Sequence, residues 1–369
     1  MPDRLMRAVV YGEYGQTPQL RDVPPPDCPE DGVVLDVAAT GVCRSDWHAW
    51  RGHDPVPLPH VPGHELAGTV ARIGRDVRHF AIGDRVTAPF VCGCGRCEQC
   101  RDGDAQVCPH QTQPGFTHAG SFAEQVALHA ADTNLVRLPD GMDPVVAASL
   151  GCRFATAFRA VRSHAAPAAG QWVAVHGCGG VGLSAVMVAV ALGARVVATD
   201  VHPAALDAAK DLGAEATVLV GASPGTPPGE AVAAEVRRLT GGGAHASLDA
   251  LGSPATAAAS VRSLRPRGRH VQVGLLLGEE AGCIPMDLVV ARELAVLGSH
   301  GMAATDYPEM LQLVDEGVLH PDRLVGRVIE LDQAPQALVA MDRPATGTGM
   351  TVVRLHTEPA RAGRAHGHR

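Results

Sequence analysis

Trp172–Asp200 reads WVAVHGCGGVGLSAVMVAVALGARVVATD, and the order of its textures decides the fold. The apolar run WVAV forms a short strand, and the glycine turn Gly177–Gly182 (GCGGVG) follows it. An apolar stretch of helical length comes next, stopped by Gly193, and RVVATD makes a second strand. A GxGxxG string alone says little in a chain with 42 glycines. Between a strand and a helix it has the context of a dinucleotide-binding turn. Gly177 permits the tight bend, Gly179 lets the backbone approach a pyrophosphate, and Gly182 lets the helix close on the strand. Gly180 and Val181 complete the turn, with the anion at the positive helix end. Asp200 ends the second strand where a carboxylate can accept both hydroxyls of an adenosine ribose. No arginine follows it directly, a combination that favours NAD over NADP.

Working outward, strands and helices keep alternating at the rhythm of βαβ units: PAALDAAKDLG is a helix, and ATVLV, ASLDAL and RHVQVG are strands. GASPGTPPGE is a loop by composition. The rhythm stops past Gly298, where a helix at about Tyr307–Glu316 precedes strands around Val325–Leu331 and Thr351–Leu355. Upstream of Met142 the chain is β-type, with short strands at Arg7–Val10, Gly32–Ala38, Gly68–Ile73, Asp84–Ala88 and Phe122–Leu128. MDPVVAASLGCRFATAFRAVRSHA then has helical spacing. At 369 residues two domains are expected, with the chain leaving a β domain for an α/β unit and returning.

A formal net charge of -8 with scattered Lys and Arg provides no basic stripe for nucleic acid or acidic membranes. No apolar run has signal-peptide or membrane-span length, so a cytoplasmic protein is expected. Its ten cysteines then read as thiols and metal ligands. Cys94, Cys97 and Cys100 are each separated by two residues and Cys108 follows after seven more, among polar neighbours. This spacing fits four thiolates around a structural zinc that leaves no open position, with disulfide pairing as the alternative. Cys92 lies outside the pattern. Cys43, the pair His64 and Glu65, and Cys152 are dispersed and individually ambiguous, since a buried cysteine or histidine is commonly a packing residue. Three protein ligands with one open position is nevertheless what a catalytic zinc requires.

GVCRSDWH (Gly41–His48), PGHELAG (Pro62–Gly68), the four-cysteine lobe, GCRFATAF (Gly151–Phe158) and GCGGVG occur in one order and spacing. In these the chain resembles the zinc-dependent alcohol dehydrogenases of the medium-chain dehydrogenase/reductase superfamily over residues 5–355. The resemblance implies an α/β fold in two parts. A GroES-like, mostly β catalytic domain covers residues 1–153 with its zinc lobe at 91–108, and a Rossmann domain with a doubly wound parallel sheet covers 154–297. Residues 298–357 return to the first domain, and 358–369 form a disordered tail. By the same resemblance Cys43, His64 and Cys152 hold the catalytic zinc, Asp46 orients His64, and Glu65 can approach the metal. Arg44 meets the pyrophosphate, and Ser45 and His48 relay the alcohol proton through the nicotinamide ribose. Val273 and Gly274 meet the nicotinamide; Trp47 and Phe90 wall the pocket, with Phe116 a weaker candidate. The implied activity is reversible hydride transfer between an alcohol and NAD, giving an aldehyde or ketone, with two zinc ions per chain. A polyol, amino-alcohol or formaldehyde-type dehydrogenase is the alternative, and a non-catalytic NAD- and zinc-binding protein is a more distant one. A homo-oligomer, dimer or tetramer, is expected, with Leu294–Gly301 as a candidate pairing segment.

Overall fold

The computed structural model describes residues 5–221, 228–276, 284–343 and 348–355. The expected tail, 358–369, lies outside them, as does most of the GASPGTPPGE loop. Among the described residues no helix is long and apolar enough to cross a membrane.

Six parallel strands form one sheet in the spatial order Ala216–Leu219, Arg195–Asp200, Trp172–His176, Ala244–Asp249, Leu264–Gln272, Ala295–Gly298. Trp172–His176 is buried along its whole length because strands flank it on both edges and helices cover both faces. The strand order reverses beside it, so its C-terminal end, where the glycine turn begins, is the crevice in which open α/β sheets bind ligands. The Gly180–Ala191 helix leaves that turn and packs Leu183, Val186 and Met187 into the largest core with Val173 and Val175. Gly193, at φ +78, ends it as the sequence predicts.

The second sheet has seven strands, and its hub is Val33–Val42. This ten-residue strand pairs antiparallel with Glu65–Ile73, Gln125–Leu128 and Met350–Arg354. It runs four residues beyond the expected end at Ala38, and the extra length delivers Cys43 straight into the next helix, Arg44–Trp50. Val325–Glu330 adds in parallel to Met350–Arg354, so residues from both ends of the chain build one sheet. Sequence reading misses the strand Gln19–Val23, which pairs with Met6–Val10; its QLRDV is mostly exposed and carries no apolar alternation.

The connecting helical run starts at Pro144, capped by the Asp143 carboxylate, which accepts from Val145 N at 2.8 Å. Its first turns pack Val145, Ala147 and Ala148 on Ala39, Ala67 and Val352 of the mixed sheet. Leu150, Phe154 and Phe158 pack into the core of the parallel sheet. Leu150–Phe154, which contains Cys152, is π-helical. Such widened turns are rare and concentrate at functional sites.

Candidate active site

Cys43 caps the Arg44–Trp50 helix, and a reciprocal pair of bonds with Asp46, including Cys43 N to Asp46 Oδ2 at 2.9 Å, fixes the helix start. The other carboxylate oxygen, Asp46 Oδ1, accepts from Gly63 N at 3.0 Å and from His64 Nδ1 at 2.9 Å. One fully buried carboxylate therefore positions two segments distant in sequence and selects the Nδ1–H tautomer of His64. Against burial, which lowers it, Asp46 raises the His64 imidazole well above its ordinary value. Nε2 of His64 is buried without a hydrogen-bond partner. It lies in a cluster with the Cys43 and Cys152 sulfurs and a Glu65 oxygen, all within 4.8 Å of one another. Of the two thiols Cys43 ionises more readily: a hydrogen bond from Cys152 holds it well below the usual range, with Arg153 and His64 adding to the effect. A buried Nε2 without a partner, beside two cysteine sulfurs and able to exchange its proton for a cation, is the donor set of a three-ligand zinc site, so these residues fit that metal.

Arg153 is a residue that sequence reading missed. Its N and Nε donate to Glu65 Oε1 at 3.1 and 3.0 Å, and its Nη2 donates to Oε2. The side chains of the pair are 11% and 0% exposed. A Cβ at Gly180 would come within 2.7 Å of Arg153 Cδ, so the arginine stem runs beneath the glycine turn and joins the Cys43, His64 and Cys152 cluster to that turn. The available signal is a charge in LGCRFATAF, an otherwise apolar helical stretch, where it must find a buried partner.

At the turn itself Gly177 has φ +92, and a Cβ on Gly182 would sit 1.8 Å from the Gly177 carbonyl oxygen, so neither position admits a side chain. A Cβ at Gly179 would meet nothing within 4 Å, leaving an open cradle at the helix start that suits a pyrophosphate. Asp200 Oδ2 accepts from Cys178 N at 2.7 Å and Oδ1 from His202 N at 2.9 Å. The expected ribose acceptor thus also ties the turn down. Val273 N and Gly274 N both donate to Asp249 O, which seats the far side of the crevice beside Gly252.

Ser45 is half-buried, with Oγ 3.9 Å from Cys43 Sγ, and His48 lies one turn further along the same helix. Phe116, the weaker candidate, has its ring centroid 5.1 Å from that of His64, nearer than Phe90 at 6.0 Å. Trp47 donates Nε1–H to Asp342 Oδ1, stands edge-on to His48 and His53, and packs with Phe116 against the Tyr11, Trp50 and Val56 cluster. Arg44 Nη1 donates to Met341 O at 2.6 Å, with its guanidinium over Trp47.

In the lobe, the sulfurs of Cys94, Cys97, Cys100 and Cys108 also lie within 4.8 Å of one another. Cys97 is 3.4 Å from Cys100 and 3.6 Å from Cys108. Thiolates at about 2.3 Å from a tetrahedral zinc stand about 3.8 Å apart, so the lobe fits this ion. Cys92 stays outside, buried, with its thiol pushed up to about 12 by burial.

Comparison with known proteins identifies the family. The alcohol dehydrogenase GroES-like domain matches residues 29–140 and the zinc-binding dehydrogenase domain matches 180–316. An alcohol dehydrogenase of Geobacillus stearothermophilus is 31% identical over 342 residues, covering 92% of this chain and 96% of its own. The chain belongs to the zinc-dependent alcohol dehydrogenases of the medium-chain dehydrogenase/reductase superfamily. Its fold is that of the family, a GroES-like domain with a Rossmann-like parallel sheet. Among solved members, an NAD-dependent alcohol dehydrogenase superposes with a TM-score of 0.84 at 31% identity, covering 95% of this chain and 100% of that one. A zinc-binding dehydrogenase structure from Sinorhizobium meliloti 1021 bound to NADP gives a TM-score of 0.83 at 30% identity, covering 95% and 99%. As a member of this family the chain is an oxidoreductase.

Proposed function

We propose that this dehydrogenase holds zinc at both clusters, uses NAD, and interconverts small alcohols with aldehydes or ketones. The observation that carries the reading is the buried, unpartnered Nε2 of His64 facing the Cys43 and Cys152 sulfurs beside Ser45. When bound, zinc supplies Lewis acidity toward an alcohol or carbonyl oxygen, and the nicotinamide supplies hydride exchange. The chain's residues do the rest. Cys43, His64 and Cys152 hold the metal, and the two thiolates temper its charge. Asp46 keeps His64 in the tautomer that leaves Nε2 free. Ser45 takes up the hydroxyl proton, and His48, three residues on and therefore on the same helix face, receives it further out. Phe90 and Phe116 flank the His64 ring and keep water from the reacting centre.

Asp200 supports NAD, since its carboxylate would repel a 2′-phosphate. Cys94, Cys97, Cys100 and Cys108 serve as the structural zinc site. The exposed edge strand Ala295–Gly298, with Val296 outward, supports assembly into a homo-oligomer through that edge.

Metal-replete protein should carry zinc at both clusters and reduce NAD, seen as the absorbance of the reduced nicotinamide, with members of a panel of primary, secondary, aromatic and polyol alcohols. Ser45→Ala should impair turnover far more than NAD binding. No turnover with any alcohol in either direction would refute the reading.

A further inference from the structure

The second imidazole beside His48 is not part of the relay implied by the sequence. His53 Nδ1 lies 3.2 Å from His48 Nδ1, with ring centroids 5.4 Å apart. The chain is built to return there. The Arg44–Trp50 helix ends at Arg51, Gly52 turns at φ +75, and His53 N donates to His48 O at 2.9 Å. A Cβ on Gly52 would approach the Tyr14 ring to 3.1 Å, so the turn is closed from outside as well. Tyr14 in turn bonds both N and O of Val56 through its hydroxyl, fixing the segment after His53. Trp47 stands edge-on to both imidazoles, at 4.9 and 5.3 Å. His48 is half-buried and His53 is exposed, so the pair spans the boundary between site and solvent.

We propose that His53 is the outer member of a two-imidazole proton relay, taking the proton His48 receives from the active site and releasing it to water. The proposal rests on the reading above that His48 serves alcohol oxidation. Two Nδ1 atoms at this separation share one proton, one ring donating and the other accepting. With Nδ1 committed to His53, Nε2 is the His48 nitrogen left for the inner side. A proton arriving at His48 Nε2 is balanced by release of the Nδ1 proton to His53 Nδ1. His53 then gives up its Nε2 proton to water or a buffer base, and the tautomers re-equilibrate through solvent. No electrons move in these steps, and one proton leaves per alcohol oxidised; carbonyl reduction runs the same path inward.

The charged and titratable groups facing His48 are His53, Arg44, Cys43 and Asp54. Burial first, then His53 and Arg44, hold its imidazole below the ordinary value, which favours passing the proton outward. Arg51 and Asp342 are already paired with each other nearby.

The test is His53→Gln, which keeps a hydrogen-bonding side chain but cannot carry a proton, compared with wild type and His48→Gln in weak buffer. His53→Gln should lower kcat for alcohol oxidation about tenfold, less than the roughly 100-fold or more typical of a full acid–base group because water partly replaces an exposed ring. NAD affinity should be unchanged, added imidazole should restore the rate, and His53→Gln should have no further effect in a His48→Gln background. Independently of turnover, the NMR titration of His48 should move to higher pH in His53→Gln as the repulsion is removed. A full rate without imidazole dependence, a loss that imidazole does not restore, or an unmoved His48 titration would each overturn the relay. Absence of alcohol oxidation by the wild-type protein would instead overturn the function on which the relay rests, while the titration still reads the imidazole pair by itself.

Discussion

Replacing Arg153 with Met isolates what the buried Arg153–Glu65 ion pair contributes. Glu65 is fully buried, Arg153 is 11% exposed in its side chain, and three donors from the arginine converge on the carboxylate. The carboxylate has nowhere to relax, because even a Cβ at Gly41 would sit 2.1 Å from Glu65 Oε2. Burial already raises the Glu65 pKa, and Arg153 is the principal group opposing that rise. Removing the guanidinium therefore strands a buried charge or forces it to take a proton, at a cost of about 3–5 kcal/mol. That is a large share of the roughly 5–15 kcal/mol that holds a protein folded. Arg153→Lys should recover little, since an ammonium cannot reproduce the planar fork. Arg153→Met/Glu65→Leu should recover most of the loss, because both charges leave together. Guanidinium unfolding of zinc-replete protein, followed by tryptophan fluorescence, reads both sheets: Trp47 and Trp50 lie beside the mixed sheet and Trp172 in the parallel one. A loss below about 1 kcal/mol in Arg153→Met, or strictly additive losses in the double variant, would refute the argument.

Cys97→Ser should reduce bound zinc by one ion per chain and lower stability while the hydride-transfer step persists; normal stability with lost turnover would reverse the roles of the two clusters. Asp200→Ala should relax the preference for NAD over NADP, measured as the ratio of kcat/KM. It should also weaken both cofactors, because the Cys178 N and His202 N bonds to this carboxylate are each worth about 1.5–3 kcal/mol. His118 is half-buried and held near pH 4 against an ordinary 6.5, mainly by its burial, with His129 adding to the effect, so it is neutral in the fold. Its stabilising contribution is present above the unfolded value of 6.5 and is lost as pH falls toward 4, about 3 kcal/mol in all. His118→Gln should flatten the acid limb of the stability profile across that window, and an unchanged limb would count against the assignment.

What the sequence made legible was what local spacing encodes. Gly177, Gly179 and Gly182 carry their meaning within six residues, and Cys94–Cys108 within one loop, so each could be read before any tertiary contact was known. Cys43, His64 and Cys152 have no such period. Cys43 and His64 meet because Val33–Val42 pairs with Glu65–Ile73, a register that residue spacing does not reveal; ligand chemistry suggested the trio and the resemblance singled it out. Arg153 escaped for the same reason, since its counter-ion lies 88 positions away. The contacts of Trp47 with Asp342 and His48 depend on the rotation of its short helix, which the Cys43–Asp46 capping bonds set. The pairing of His48 with His53 depends on Gly52 and Tyr14, a turn that composition marks only as a turn.

The position of Met350–Arg354 inside the mixed sheet has a consequence for how the protein is made. This strand lies between Val325–Glu330 and Val33–Val42. The six parallel strands leave the ribosome as one uninterrupted run, whereas Val33–Val42 lacks its neighbour until some 300 residues later, an interval on the order of 15–60 s at ordinary translation rates. The parallel strands can therefore pair while Cys43 and His64 still belong to an unfinished sheet. On the proposed reading of Cys43 and His64 as zinc ligands, a nascent chain stalled before residue 350 is expected to pair its parallel strands well before that site can retain an ion.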